Sequence, residues 1–198
     1  MTEDPKAALR RELRGMRQRM SAKEITERSG TIVRHVASAS FYQRARTIGL
    51  YHPTDNEVDP SRLFLDAAAT GKEIFLPIPD KSSRSLSFVA YRPGDPMHVG
   101  SFGILEPIPS GSVVDADRLD LIFLPLVGFD RLGCRLGFGG GYYDRTLARL
   151  EGEDAQALRL TGLAYAFQEL PSIPRAPHDV MMGRVVTENG VLLCKGSD

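Results

Sequence analysis

Leu9, Leu13, Met16 and Met20 recur at steps of three and four, with charged residues between them. That period puts them on one face of a helix, which Asp4 and Pro5 would open as N-cap and first helical residue. Ser21 and Glu24 have capping-box spacing, so a second, antiparallel helix runs on through Ile32, Val33 and Val36. From Thr47 the period changes. Thr47 to Tyr51, Glu73 to Pro77 and Leu86 to Tyr91 are short β-type runs, and Asp59-Pro60 opens a helix between the first two that Gly71 closes. Leu119 to Val127, apolar apart from Asp120, shows no alternation, as expected of a strand buried on both faces of a parallel sheet. Residues 92–118, rich in Pro, Gly and Asp, read as a long surface excursion. Strands alternating with helices predict an α/β layered domain, and 198 residues suit one domain over 1–198 better than two.

Charge changes the picture only locally. The formal net charge is zero, so nothing global points to nucleic acid or an anionic membrane. Residues 1–50, however, carry 11 Lys+Arg against 5 Asp+Glu, leaving 14 against 20 for the rest. The helix pair therefore has a basic surface, which either faces phosphates or is simply solvated. Leu121 to Phe129, the longest apolar run, is about a third of a membrane span and contains Pro125. The N-terminus lacks a basic-then-apolar signal, and a cytoplasmic location is expected. Cys134 and Cys194 are too few for a disulfide framework and lack metal-ligand spacing. No histidine is placed by sequence to activate Cys134.

Chemistry concentrates in Arg135-Leu136-Gly137-Phe138-Gly139-Gly140-Gly141-Tyr142-Tyr143-Asp144-Arg145. Dense glycine lets backbone approach a ligand and exposes consecutive N–H groups to phosphate oxygens. Arginine adds charge-assisted bonds, and Asp144 has the chemistry to hold a nucleotide's Mg²⁺. The alternative is a flexible strand-to-helix turn. The segment is not a Walker loop, because no Gly-Lys-Ser/Thr follows, and it fits a dinucleotide fingerprint poorly.

The same segment, preceded by Leu124-Pro125-Leu126-Val127-Gly128-Phe129-Asp130, resembles the signature of the 5-formyltetrahydrofolate cyclo-ligase family. The resemblance continues in order along the chain. It takes in Lys6 and Arg10, then Tyr51 to Asp59 (YHPTDNEVD), then Phe102 to Pro107 (FGILEP). It closes with Gln168, Leu170-Pro171, His178-Asp179 and Val185 to Glu188. One departure stands out: relatives commonly carry an acidic residue where this chain has Gly183.

The resemblance implies a mostly parallel sheet flanked by helices, related to sugar-phosphate isomerases and CoA transferases, with ligands across the carboxyl ends of the strands. It implies an ATP- and Mg²⁺-dependent closure of 5-formyltetrahydrofolate to 5,10-methenyltetrahydrofolate through a phosphorylated formyl oxygen. Lys6, Arg10 and Arg135 to Tyr143 would serve ATP. His52, Glu57, Phe138 to Gly141 and Tyr142 would serve the folate, with Tyr143 packing inward. Asp144 and Asp179 would hold Mg²⁺. Spacing alone puts Lys6 and Arg10 on one helix face, where an exposed cation pair is the alternative; Arg14 and Arg17 extend that surface. Other readings remain open: a non-catalytic folate- or nucleotide-binding module, or a sugar-phosphate isomerase-like enzyme. The expected partners are small molecules, and nothing in the sequence demands an oligomer.

Overall fold

The computed structural model describes residues 5–100, 102–108, 111–148, 150 and 159–194. Helices α1 (Pro5–Gln18), α2 (Ala22–Ser38) and α3 (Ser40–Arg44) lead into strand β1 (Thr47–Gly49) and helix α4 (Ser61–Ala69). The hairpin β2 (Glu73–Asp80) and β3 (Ser85–Tyr91) follows, then a ribbon of β4 (Met97–Val99) and β5 (Leu105–Pro107), and a short strand β6 (Val113–Val114). Next come β7 (Leu121–Leu124), the hairpin β8 (Gly128–Phe129) and β9 (Arg135–Leu136), and helix α5 (Tyr142–Leu147). Strands β10 (Leu160–Leu163), β11 (Arg184–Thr187) and β12 (Gly190–Leu193) complete the described fold.

The main sheet has the order β12-β11-β10-β7-β1-β2-β3-β6. Its centre, from β11 to β2, is parallel, and both edges add antiparallel pairings. The chain builds outward from β1 to β2, then returns to lay β7 on the other side of β1. The gap beyond the carboxyl ends of β1 and β7 is thus a topological switch point, where open α/β sheets place ligands.

The apolar run seen in the sequence explains the layering. In β7, Leu121 and Phe123 join a core with Ile32, Val33, Leu63 and Phe64 of α2 and α4. Ile122 and Leu124 join a second core with Phe88, Leu147 and Val185. Both faces are covered, so alternation is invisible in the sequence. The ladder itself is only four residues, shorter than the apolar run.

Local chemistry sets the helix ends. Ser21 and Glu24 form the expected capping box, and Asp59 Oδ1 accepts from the Ser61 N–H at 2.8 Å. Gly71 adopts a φ of 72° after α4. The N-cap assigned to Asp4 lies outside the described residues. The single apolar face expected of Leu9, Leu13, Met16 and Met20 is divided: Leu9, Leu13 and Met16 pack with Val127, Leu136 and Ile173, whereas Met20, past the end of α1, joins the α2 core. The described residues of 92–118 are also more regular than a loop excursion. They form the β4–β5 ribbon and place β6 on the sheet edge, because Val113 and Val114 can pair with β3.

Gly133, in the β8–β9 turn, has a φ of +95°, and a Cβ there would collide with the Met182 carbonyl. Gly133→Ala is therefore expected to lose about 2–4 kcal/mol of stability, strain and clash together. Urea denaturation reads this directly, and an unchanged midpoint would mean that the turn relaxes freely.

Candidate active site

A cleft of about 1090 Å³ opens at the switch point, walled by the segments after β1 and β7, the end of β2, helix α1, the β4–β5 ribbon and the glycine segment. Single ligand sites usually span roughly 300–1,000 Å³, so this one has room for more than one small molecule.

Helix α1 supplies the cationic wall. Lys6 Nζ donates to Asp179 Oδ2 at 2.7 Å, and Arg10 Nε donates to the Gly137 carbonyl at 2.8 Å. Arg14 Nε reaches Asp55 Oδ2 at 2.8 Å. The helix brings these side chains together because they recur every four residues, on the cleft side of the face that buries Leu13. Lys6 and Asp179 are 173 residues apart in the chain.

Arg135 is not a loop residue. It lies in β9, nearly buried, and its Nη2 donates to Asp144 Oδ1 at 2.9 Å. Its guanidinium also sits 5.2 Å from the centre of the Tyr143 ring. Leu136 faces the small core beneath α1 and is not exposed to the cleft, so its side chain contributes packing only. The β8–β9 turn that carries Arg135 is held by Asp130, whose carboxylate accepts from the N–H groups of Leu132, Cys134 and Ile173 at 3.0 Å each.

The glycine segment bends through positive φ at Gly139 (101°) and Gly141 (69°), conformations that favour glycine. Among the described residues, none of the N–H groups of 137–141 donates to a protein acceptor. Phe138 is 43% exposed, and the guanidiniums of Arg14 and Arg17 lie 5.9 and 5.6 Å from its ring centre. Tyr142 meets Phe102 of the ribbon edge-on at 5.4 Å. Burial pushes the Tyr143 hydroxyl well above its ordinary value, in keeping with an inward-packed ring.

On the opposite side, Asp55 and Asn56 take left-handed φ values of 51° and 55°, which short polar side chains tolerate best. This turn carries Glu57 into the cleft wall. The Thr54 N–H donates to Glu57 Oε2 at 2.9 Å, while Oε1 is buried with no hydrogen-bond partner. Burial raises the Glu57 carboxyl to about 7 against the pull of Thr54 and Arg17. His52 stacks on Phe64 at 5.5 Å, and its Nε2 is likewise buried without a partner. Burial lowers its pKa, so the ring is neutral near pH 7.

Asp144 and Asp179 come together in the cleft: the N–H of Val180, next to Asp179, approaches Asp144 Oδ1 at 3.4 Å. Burial works to raise Asp179, but the Ala176 N–H and Lys6 outweigh it and hold the carboxyl below its ordinary value. Asp144 Oδ2 and Asp179 Oδ1 accept no hydrogen bond among the described residues, and no cluster of three or more His, Cys, Asp or Glu forms there. That donor set suits Mg²⁺, which takes one or two carboxylates and completes its shell with water and phosphate oxygens.

Some residues carry more than their sequence context indicated. Arg17 looked like part of a basic surface and is instead fully buried. Glu106, within the FGILEP string, presents a nearly buried carboxylate to the cleft. The closing motif is largely structural. Gln168 Nε2 donates to the carbonyls of Leu126 and Val127 at 3.1 and 2.9 Å, and Glu188 binds Arg28 at 2.8 Å. Gly183 is engaged through its backbone, with Leu160 and Cys194. Burial raises the Cys134 thiol to about 11, which leaves it a poor nucleophile.

Residues 2–188 match the 5-formyltetrahydrofolate cyclo-ligase family. The 5-formyltetrahydrofolate cyclo-ligase of Haemophilus influenzae is 31% identical over 182 residues, covering 91% of this chain and 96% of its own. The mouse protein of that name is 30% identical over 191 residues, 93% of this chain and 94% of its own. The NMR structure of the Aquifex aeolicus 5,10-methenyltetrahydrofolate synthetase superposes with a TM-score of 0.81 at 32% identity, covering 98% of this chain and 94% of that one. The Mycoplasma pneumoniae synthetase superposes at 0.74 with 25% identity, covering 93% and 99%.

Proposed function

The chain belongs to the 5-formyltetrahydrofolate cyclo-ligase family, and from that premise we propose that it closes 5-formyltetrahydrofolate to 5,10-methenyltetrahydrofolate at the expense of ATP. The observation that carries this reading is the Glu57 oxygen that accepts no hydrogen bond, set in the wall of the same cleft as the glycine segment. One end offers an acceptor for the amino and ring N–H groups of a pterin. The other offers open backbone N–H groups and cations for phosphates.

In this reading the formyl oxygen attacks the γ-phosphorus of ATP and ADP leaves. The phosphorylated formyl carbon is then attacked by N10, which loses its proton as the carbon–oxygen bond breaks and phosphate departs. Phosphorylation converts a poor leaving group into a good one, so the protein's main task is alignment and charge neutralisation. Glu57 fixes the pterin, with His52 and Tyr142 along its flank. Phe138 offers a ring face. Lys6, Arg10 and Arg135 neutralise phosphate oxygens, and the N–H groups of Gly137 to Gly141 orient them. Asp144 and Asp179 would hold Mg²⁺, which supplies charge stabilisation to the phosphates when bound.

The test is the appearance of the methenyl product's near-ultraviolet absorbance from purified protein, 5-formyltetrahydrofolate, ATP and Mg²⁺, with each component omitted in turn. Product is expected only in the complete mixture. Folate binding without turnover would replace the enzyme with a binding module. Lys6→Ala is expected to raise the KM for ATP by about tenfold, the loss of one charge-assisted contact, with little change for folate. A change confined to folate would move α1 to the other end of the cleft.

A further inference from the structure

Arg17 is an unusual residue: a guanidinium with no solvent exposure at all. Burying a charge is costly unless it is paired and hydrogen-bonded, so its contacts should be extensive, and they are. Nη2 donates to Asp55 Oδ2 at 2.9 Å, and Nη1 donates to the Leu126 carbonyl at 3.2 Å, just past the end of β7. The same Nη1 lies 3.9 Å from Glu57 Oε1, and the guanidinium carbon lies 5.6 Å from the Phe138 ring centre. The Arg17 carbonyl accepts from Asn56 Nδ2 at 3.1 Å. One side chain thus touches the left-handed turn before Glu57, the end of the central strand and the aromatic residue of the glycine segment. Its Nε has no partner.

We infer that Arg17 is a positioning residue of this site: it clamps the Asp55–Glu57 turn against the Phe138 segment and sets a cation beside the Glu57 oxygen that would receive the pterin. The inference rests on Glu57 being the pterin acceptor. Arg17 is a better clamp than lysine because its planar fork serves Asp55 and Leu126 at once. Other charged and titratable groups around Glu57 are Arg14, Asp55 and the buried hydroxyls of Tyr51, Tyr143 and Tyr165. The Tyr165 hydroxyl bonds the Glu57 carbonyl at 3.1 Å. Among these groups Arg17 and Arg14 are the cations. Arg14 is the more exposed and hydrogen-bonds Asp55 rather than Glu57, which leaves Arg17 to act from within the protein.

The experiment is calorimetric titration of the full chain with 5-formyltetrahydrofolate, without ATP, across pH 5.5–8.5 (about the range that brackets a carboxyl near 7), for wild type, Arg17→Met, Arg17→Lys and Glu57→Gln. Arg17→Met is expected to weaken folate roughly ten- to a hundredfold at neutral pH, as when a buried charge loses its partner. It should also move the acidic limb of binding to higher pH, because Glu57 then protonates more readily. Arg17→Lys keeps the charge and should leave that limb near its wild-type position while still losing affinity. In the Glu57→Gln background the Arg17→Met limb should vanish. Glu57→Gln with unaltered folate affinity overturns the assignment of Glu57 itself. A weakened Glu57→Gln beside an Arg17→Lys and Arg17→Met pair with wild-type limbs overturns the role of Arg17 alone. If Arg17→Met does not fold, Arg17→Lys decides: wild-type affinity shows that the fork has no positioning role.

Discussion

Replacing Asp144 with asparagine is expected to lower turnover by roughly a hundredfold or more, since several kcal/mol of charge stabilisation on the phosphates is at stake. The change is nearly isosteric, so the melting temperature should move little. Two routes lead to such a loss. Asp144 would hold Mg²⁺ through its free oxygen, and it also fixes the nearly buried Arg135 at 2.9 Å. Raising Mg²⁺ separates them. If the metal role dominates, turnover of Asp144→Asn recovers partly as Mg²⁺ rises, because the affinity deficit can be filled by mass action. If Arg135 has merely lost its anchor, turnover stays low at every Mg²⁺ concentration. Full turnover at limiting Mg²⁺ would take Asp144 out of the site altogether.

Glu57→Gln is expected to weaken 5-formyltetrahydrofolate by on the order of a hundredfold, the usual scale for a hydrogen bond to a buried charged group, while the KM for ATP barely changes. Its pH behaviour is equally diagnostic. A pterin N–H needs an ionised acceptor, and burial holds this carboxyl near 7. Wild-type affinity should therefore climb as pH rises through 7 and then level off, and the glutamine variant should be flat. Stability runs the other way. A carboxyl raised from 4.5 to about 7 in the fold leaves the native state holding more protons than the unfolded chain over that window. Stability is full below about 4.5 and falls towards pH 7, by on the order of 3 kcal/mol. Glu57→Gln should remove that slope and be the more stable protein at pH 8. Equal losses of folate and ATP binding would mark Glu57 as scaffold.

The sequence made the layered fold visible where one force dominated. Leu119 to Val127 had the pattern of a doubly buried strand, of which Leu121 to Leu124 form the ladder, and Ser21 with Glu24 had the spacing of a helix cap. The β4–β5 ribbon and β6 are strands of two or three residues set among Pro and Gly, too short to show a period; β4 and β5 pair with each other and β6 is fixed by its pairing with β3 rather than by local propensity. The glycine segment announced itself by composition. Arg17 did not, because its neighbours in sequence are exposed cations and its partners Asp55 and Glu57 lie some forty residues away. Arg135 was legible as a cation beside glycines, but its pairing with Asp144 was not. Spacing shows which side chains share a helix face. It does not show which oppositely charged groups the sheet brings between them.

The seating of α1 has a consequence for how the protein is made. Leu13 buries against Val127, Leu136 and Ile173, and Lys6 finds Asp179, 173 residues away, so α1 leaves the ribosome well before the partners on which it docks. At roughly 5–20 residues per second, its apolar face waits about ten to thirty seconds for its partners. Throughout that interval the nascent chain carries an unburied amphipathic, basic helix and no closed cleft. The binding site therefore closes only after its far segments are made, and the waiting helix is a segment that a holding chaperone would cover.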